Sequence, residues 1–112
     1  MSDPEATVCA YYAALDESAY DDFDDLLVPG FVQRRPDLTF EGREAFVAFV
    51  RDDRPVTDTA HALDTVFVAE GEDEVAVRGR LLDADGEALF SFVDVHQLAG
   101  DGRIERLETF TR

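Results

Sequence analysis

The second half of the chain has little freedom in how it can fold. After Pro55 the apolar residues alternate with polar ones, through segments at about residues 59–69, 74–82, 87–98 and 103–111. That period of two is a strand's, because successive side chains point to opposite faces. Between the segments lie EGED, DADG and AGDG, whose Gly and Asp residues supply the positive φ and side-chain hydrogen bonds of tight turns. Connections this short join only antiparallel neighbours, so the pattern predicts a four-stranded antiparallel meander.

The first half has helical spacing instead. Ser2 or Asp3, followed by Pro4 and Glu5, forms an N-terminal cap, and Val8, Tyr11, Tyr12 and Leu15 recur at helical intervals to about Asp16. Ser18 with Asp21 three residues on restarts a helix carrying Tyr20, Phe23, Leu26 and Leu27, which Pro29-Gly30 stops. FVQRRP reads as a short strand ended by Pro36, and GREAFVAFVRDD as a third helix with Ala45, Phe46, Phe49 and Val50 on one face. Helix, helix, short strand, helix and four long strands make an α+β chain, three helices covering one face of a curved sheet with a cavity between them. At 112 residues it is a single domain, 1–112, without repeat or linker.

Charge excludes some functions. Acidic residues number 26 against ten basic ones, all of them Arg, for a net charge of −16. That sign disfavours binding nucleic acid through its phosphates. The acidity is spread along the whole chain and resembles that of proteins from salt-accumulating halophiles, in which near 1 M salt the screening length falls to about 3 Å and self-repulsion fades. No apolar run approaches the roughly 20 residues of a membrane span. MSDPEATV lacks the basic-then-apolar order of a secretory signal, so a cytoplasmic location is expected. Cys9 is the one cysteine, and no two histidines have ligand spacing, so neither a disulfide, a metal site nor a cofactor is expected.

One strand breaks its own pattern. In FSFVDVHQL, residues 90–98, one face carries Phe90, Phe92, Asp94, His96 and Leu98, setting a carboxylate and an imidazole among phenylalanines. Burying an unpaired charge costs several kcal/mol or forces the group to neutralise.

YYAALDESAYDDFDDLL, FEGREAFVAFV and FVDVHQLAGDGRIERLETF, in that order, resemble the nuclear transport factor 2-like superfamily, and within it the SnoaL-like branch alongside the ketosteroid isomerases. The resemblance implies a cystatin-like fold: a cone-shaped, curved antiparallel sheet of four long strands and one short one wrapped around three N-terminal helices. It also implies a pocket acid at Asp94, a hydrogen-bond donor at Tyr11 ahead of AAL, and dimerisation through the outer sheet face. The isomerases' proton carrier is an aspartate before a proline, and here Arg35 precedes Pro36. An arginine takes no proton from carbon at ordinary pH, so isomerisation of steroids by that route is not expected. Arg35 would instead pair with Asp94 or clamp a ligand.

Two readings follow. In the first, a lyase, isomerase or cyclase-like enzyme, or a binder, takes a small apolar oxygenated molecule. Asp94 is its acid or base, Tyr11 a donor, His96 a relay partner, Arg35 and His61 polar ligand contacts, and Phe49 and Phe92 walls. In the second, the chain is a non-catalytic homodimeric scaffold joined through Leu89, Val93 and Val95 on the outer face, with a filled interior. A cavity of roughly 300 Å3 or more reaching Asp94 favours the first.

Overall fold

Asp3 starts the first helix, α1 (Pro4–Asp16), by accepting a hydrogen bond from the Glu5 amide at 3.0 Å. The computed structural model describes residues 3–53 and 58–112, so Ser2 and Pro55 lie outside it. Val8, Tyr11, Tyr12, Ala14 and Leu15 are buried along α1. Ser18, at φ 55°, then turns the chain in the left-handed region that ends many helices.

The expected second helix is cut short. A 3-10 turn, Tyr20–Asp22, leads into a single helical turn, α2 (Phe23–Leu26), and the chain is already extended at Leu27. DDFDDLL sets like charges three and four residues apart, which an isolated helix does not favour. Phe23 is its buried residue, with Leu26 packed against the core beside it. Pro29 and Gly30 do not terminate a helix: they lie within β1 (Leu27–Arg34), where pairing with the last strand is interrupted between Leu27 and Val32. A turn closed by Arg35 N–H donating to the Leu38 carbonyl at 2.8 Å leads into a strand that sequence reasoning missed, β2 (Thr39–Glu41). α3 (Arg43–Ala48) follows and widens into a π-helical turn at Phe49–Asp53.

The four long strands fall where the alternation puts them: β3 (Ala60–Val68), β4 (Glu74–Leu82), β5 (Ala88–Leu98) and β6 (Ile104–Thr111). In the DADG and AGDG turns the glycine N–H closes the turn and the glycine takes positive φ, Gly86 at 84° and Gly102 at 89°. The sheet has six strands, not five, in the order β2-β1-β6-β5-β4-β3. All pairs are antiparallel except β1 with β6, which is parallel.

Bulges bend this sheet, one of them between Leu63 and Thr65 on β3. Gly79 sits opposite it, where an added Cβ would lie 2.5 Å from the Ala62 carbonyl oxygen and 2.9 Å from the Phe92 ring. The absent side chain lets β3 close in and Phe92 lie flat on β4. α1 fills one end of the resulting concavity with Val8 and Leu15, and Phe23, Phe31 and Phe46 pack beside it.

Candidate functional site

β5 buries Phe92, Asp94, His96 and Leu98 and turns Ser91, Val93 and Gln97 outward, as the alternation requires. α1 lies across this inner face. Tyr12 Oη is 2.7 Å from Asp94 Oδ2 and 2.8 Å from His96 Nε2. Asp94, Tyr12 and His96 therefore form one buried hydrogen-bonded chain.

The Tyr12 hydroxyl has a single proton for two partners. Either His96 Nε2–H donates to Tyr12 and Tyr12 donates to Asp94, or a protonated Asp94 donates to Tyr12 and Tyr12 donates to Nε2. In both directions Asp94 meets Tyr12 through Oδ2. Its other oxygen, Oδ1, and His96 Nδ1 are buried without a partner.

Burial shifts all three groups toward their uncharged forms. Desolvation pushes the Asp94 carboxyl above the usual range against smaller opposing pulls from the Tyr12 and Thr109 hydroxyls, His61 and Arg35. Desolvation also lowers the His96 imidazole to about 3, so it is neutral at pH 7. Tyr12 is pushed up, first by burial and then by Asp94. Burial thus favours the uncharged form of all three hydrogen-bonded groups, which is how two ionisable side chains are accommodated among phenylalanines.

A cavity of about 250 Å3 opens against this chain. Tyr11, Tyr12, Phe46, Phe49, Phe90 and Phe92 supply its aromatic walls, and Gln33, Arg35, His61, Asp94 and Thr109 its polar groups. Gln33 on β1 donates to Thr109 on β6 at 3.0 Å, joining the two strands across that wall. The volume is somewhat smaller than the roughly 300 Å3 at which drug-sized sites begin, so it suits a compact ligand.

The sequence-predicted residues divide. Asp94, Tyr11, Arg35, Phe49, Phe92 and His61 all line this cavity. His96 does not; it is fully buried behind Tyr12 and reaches the cavity only through that hydroxyl. Tyr11 and Tyr12 are both buried, although they are adjacent on a helix, because the curved sheet receives both directions. The phenol bonded to Asp94 is Tyr12, whereas Tyr11 packs edge-on to His96 and stacks on Phe46.

Arg35 does not pair with Asp94. Its guanidinium lies 3.2 Å from Asp37 and over the Phe49 ring, 5.8 Å from the centroid. It stands at the mouth with about a third of its side chain exposed. Leu89 is not an outer-face residue: Leu81 pairs with Phe90 and Leu82 with Ala88, so Leu89 is the extra residue of a bulge and turns to the cavity rim.

Asp16 was missed. Its Oδ1 lies 2.6 Å from His61 Nδ1, and its Oδ2 accepts the His61 backbone N–H at 3.0 Å. A signal existed, because Tyr12 and Asp16 are four residues apart and share one face of α1. Among the described residues no group of three His, Cys, Asp or Glu side chains gathers to hold a metal ion. Nor is any helix there long and apolar enough to cross a membrane.

A family model described as the SnoaL-like domain matches residues 8–107. No curated protein matches the chain. Among solved structures it is similar to an Agrobacterium tumefaciens protein provisionally named an isomerase of the SnoaL-like family. The two are 19% identical with a TM-score of 0.84, covering 100% of this chain and 99% of that one. A Jannaschia protein provisionally named a SnoaL-like polyketide cyclase is 21% identical with a TM-score of 0.78, over 97% and 85% of the two chains. An NTF2-like protein of unknown function from Burkholderia pseudomallei is 22% identical with a TM-score of 0.80, over 100% and 92%. At these identities the likeness is one of fold.

Proposed function

This chain belongs to the SnoaL-like domain family, and on that premise we propose that its cavity takes a compact, largely apolar molecule by an oxygen atom, with Asp94 as the acid. One observation carries the reading: Asp94, whose buried carboxyl is pushed toward its neutral form, lines an aromatic-walled cavity and has Oδ1 buried without a hydrogen-bond partner. With Tyr12 donating to Oδ2, the acid proton resides on Oδ1, which then donates to a carbonyl or hydroxyl oxygen of the ligand. A donor already placed in an apolar site stabilises negative charge developing on that oxygen far better than water does. Isomerase or cyclase-like acid–base chemistry fits this arrangement, and the names of the Agrobacterium and Jannaschia relatives point the same way. Arg35, held at the mouth by Asp37 and Phe49, would meet a polar end of the ligand.

The test combines a carboxyl titration with a binding measurement. Carbon-detected NMR of Asp94 should find its pKa well above the ordinary value near 4. A bicyclic ketone, 2-tetralone, should bind about tenfold more weakly to Asp94→Leu, the loss expected for one hydrogen bond. An ordinary pKa together with unchanged binding would refute the reading.

A second reading concerns the opposite face of the sheet and is compatible with the first. Register places Thr65, Arg78, Val93 and Phe110 in one row, and Phe67, Ala76, Val95 and Glu108 in the next. Phe67 and Phe110 are each more than half exposed, and Val93 is 39% exposed. Such a patch marks an interaction surface, and the proposed occupant is a second copy of this chain. Arg78, within the patch, donates to the Thr65 hydroxyl at 2.9 Å, and Arg80 beside it pairs with Asp64 on β3 at 3.0 Å, so both cations already have partners.

A further inference from the structure

We propose that Asp16 and His61 form the base of this cavity, His61 as the catalytic residue and Asp16 as its positioning residue, for substrates that carry a C–H bond next to a carbonyl. The inference rests on the reading of Asp94 as the acid of the same cavity. It supplies what Arg35 cannot, a group that takes a proton.

The geometry fixes His61 twice over. Asp16 Oδ1 faces Nδ1 at 2.6 Å, and Oδ2 holds the backbone N–H of the same residue at 3.0 Å, so ring and main chain are clamped by one carboxylate. A carboxylate accepts only, so Nδ1 must carry the hydrogen in that bond. In the tautomer this bond selects, a ring without a second proton has a bare lone pair at Nε2. Among the described residues nothing hydrogen-bonds Nε2, and the ring lines the cavity between Tyr12, at 5.2 Å between ring centroids, and Phe92, at 5.7 Å. The His61 side chain is only 13% exposed.

Asp16 is also a costly choice for structure alone. It is the last residue of α1, at the negative end of the helix dipole, where an acid is disfavoured. No basic residue occupies the last turn to offset it. Its one strong partner is the cavity histidine. The pairing also joins α1 to the start of β3, and α1 carries Tyr12 one turn earlier, so a single helix face positions both the acid chain and the base.

The step these groups perform is balanced without an outside reagent. His61 Nε2 takes the proton from the carbon beside the carbonyl. The C–H electron pair becomes the new C=C bond, and the carbonyl π pair moves to oxygen, where the Asp94 Oδ1–H receives it. Return of the proton from Nε2 to the same carbon reverses the step, and return to a conjugated carbon moves the double bond.

Two measurements decide it. A long-range proton–nitrogen spectrum of the wild-type protein should find His61 with Nδ1 protonated and Nε2 bare. The opposite tautomer overturns the proposal and leaves the Asp94 reading standing. In D2O, wild-type protein should accelerate deuterium exchange into 2-tetralone at the carbons beside its carbonyl. His61→Gln should lose about 100-fold or more of that rate while still binding the ketone, as general-base catalysis predicts. Asp16→Asn has one acceptor oxygen for two N–H groups, so it should lose about tenfold or more and shift the His61 tautomer. Wild-type protein that binds 2-tetralone without accelerating exchange overturns the base alone. Wild-type protein that does not bind it overturns the cavity reading, and this proposal with it.

Discussion

His96 should make the fold acid-labile, and by an amount the structure sets. The ring is fully buried, its one hydrogen bond is to a neutral hydroxyl, and desolvation lowers it to about 3 from an ordinary 6.5. In the unfolded chain the same imidazole accepts a proton as pH falls through 6.5. Unfolding therefore takes up a proton, and stability is lost from about pH 6.5 down to about pH 3. Each pH unit in that window is worth about 1.4 kcal/mol. Between pH 6.5 and pH 5 the histidine alone should remove about 2 kcal/mol, a large fraction of a small domain's stability. Asp94 acts with the opposite sign. Its folded carboxyl holds a proton at pH values where the unfolded one has lost it, so its contribution is gained as pH falls through the folded pKa. The two must be separated by substitution. His96→Gln keeps a donor for Tyr12 and removes the titration, so its packing cost should be the same at every pH. Urea unfolding of both proteins at pH 7, 6 and 5 should show the wild type losing about 2 kcal/mol more than the variant across the interval. Parallel curves would refute the argument that His96 is held neutral by burial.

Gly79→Ala should cost about 1–3 kcal/mol in thermal unfolding, because its Cβ meets the Ala62 carbonyl oxygen at 2.5 Å and the Phe92 ring at 2.9 Å. Gly100→Ala, with nothing within 4 Å, should stay within about 0.5 kcal/mol of wild type. Equal effects at the two sites would remove the role given to Gly79 in the bend. Light scattering in about 1 M salt, where charge repulsion is screened, should find the wild type a dimer and Phe110→Glu a monomer. A monomeric wild type would end the outer-face reading.

The legibility of this chain follows the range of the forces involved. The four long strands could be read because alternation and turn chemistry are local, and both bulge-forming turns carry their glycine at the position needing positive φ. Asp94 could be read for the same reason, as an ionisable residue at an apolar position of one strand. The second helix could not, because DDFDDLL has apolar spacing for a helix while its charges oppose one, and Leu27, which the spacing assigns to the helix, is buried as the first residue of β1. β2 was invisible because three residues hold too little pattern, and it exists through pairing with β1.

The choice of tyrosine marks the limit of local reading more sharply. Tyr11 is the donor that the family resemblance implies, and on a helix facing a flat sheet its neighbour Tyr12 would turn away from the same interior. A bent sheet encloses the helix, so both are buried and the partner is decided by where the strands stand. β5 brings Asp94 and His96 under Tyr12, and β3, curled inward beside Gly79, brings His61 to Asp16. The curvature that a missing side chain at Gly79 permits on β4 is therefore a condition of the site as well as of the core. A substitution there should disturb the His61–Asp16 contact before it disturbs the Tyr12–Asp94 contact, because Ala62, the residue it strikes first, is the neighbour of His61 on the same strand.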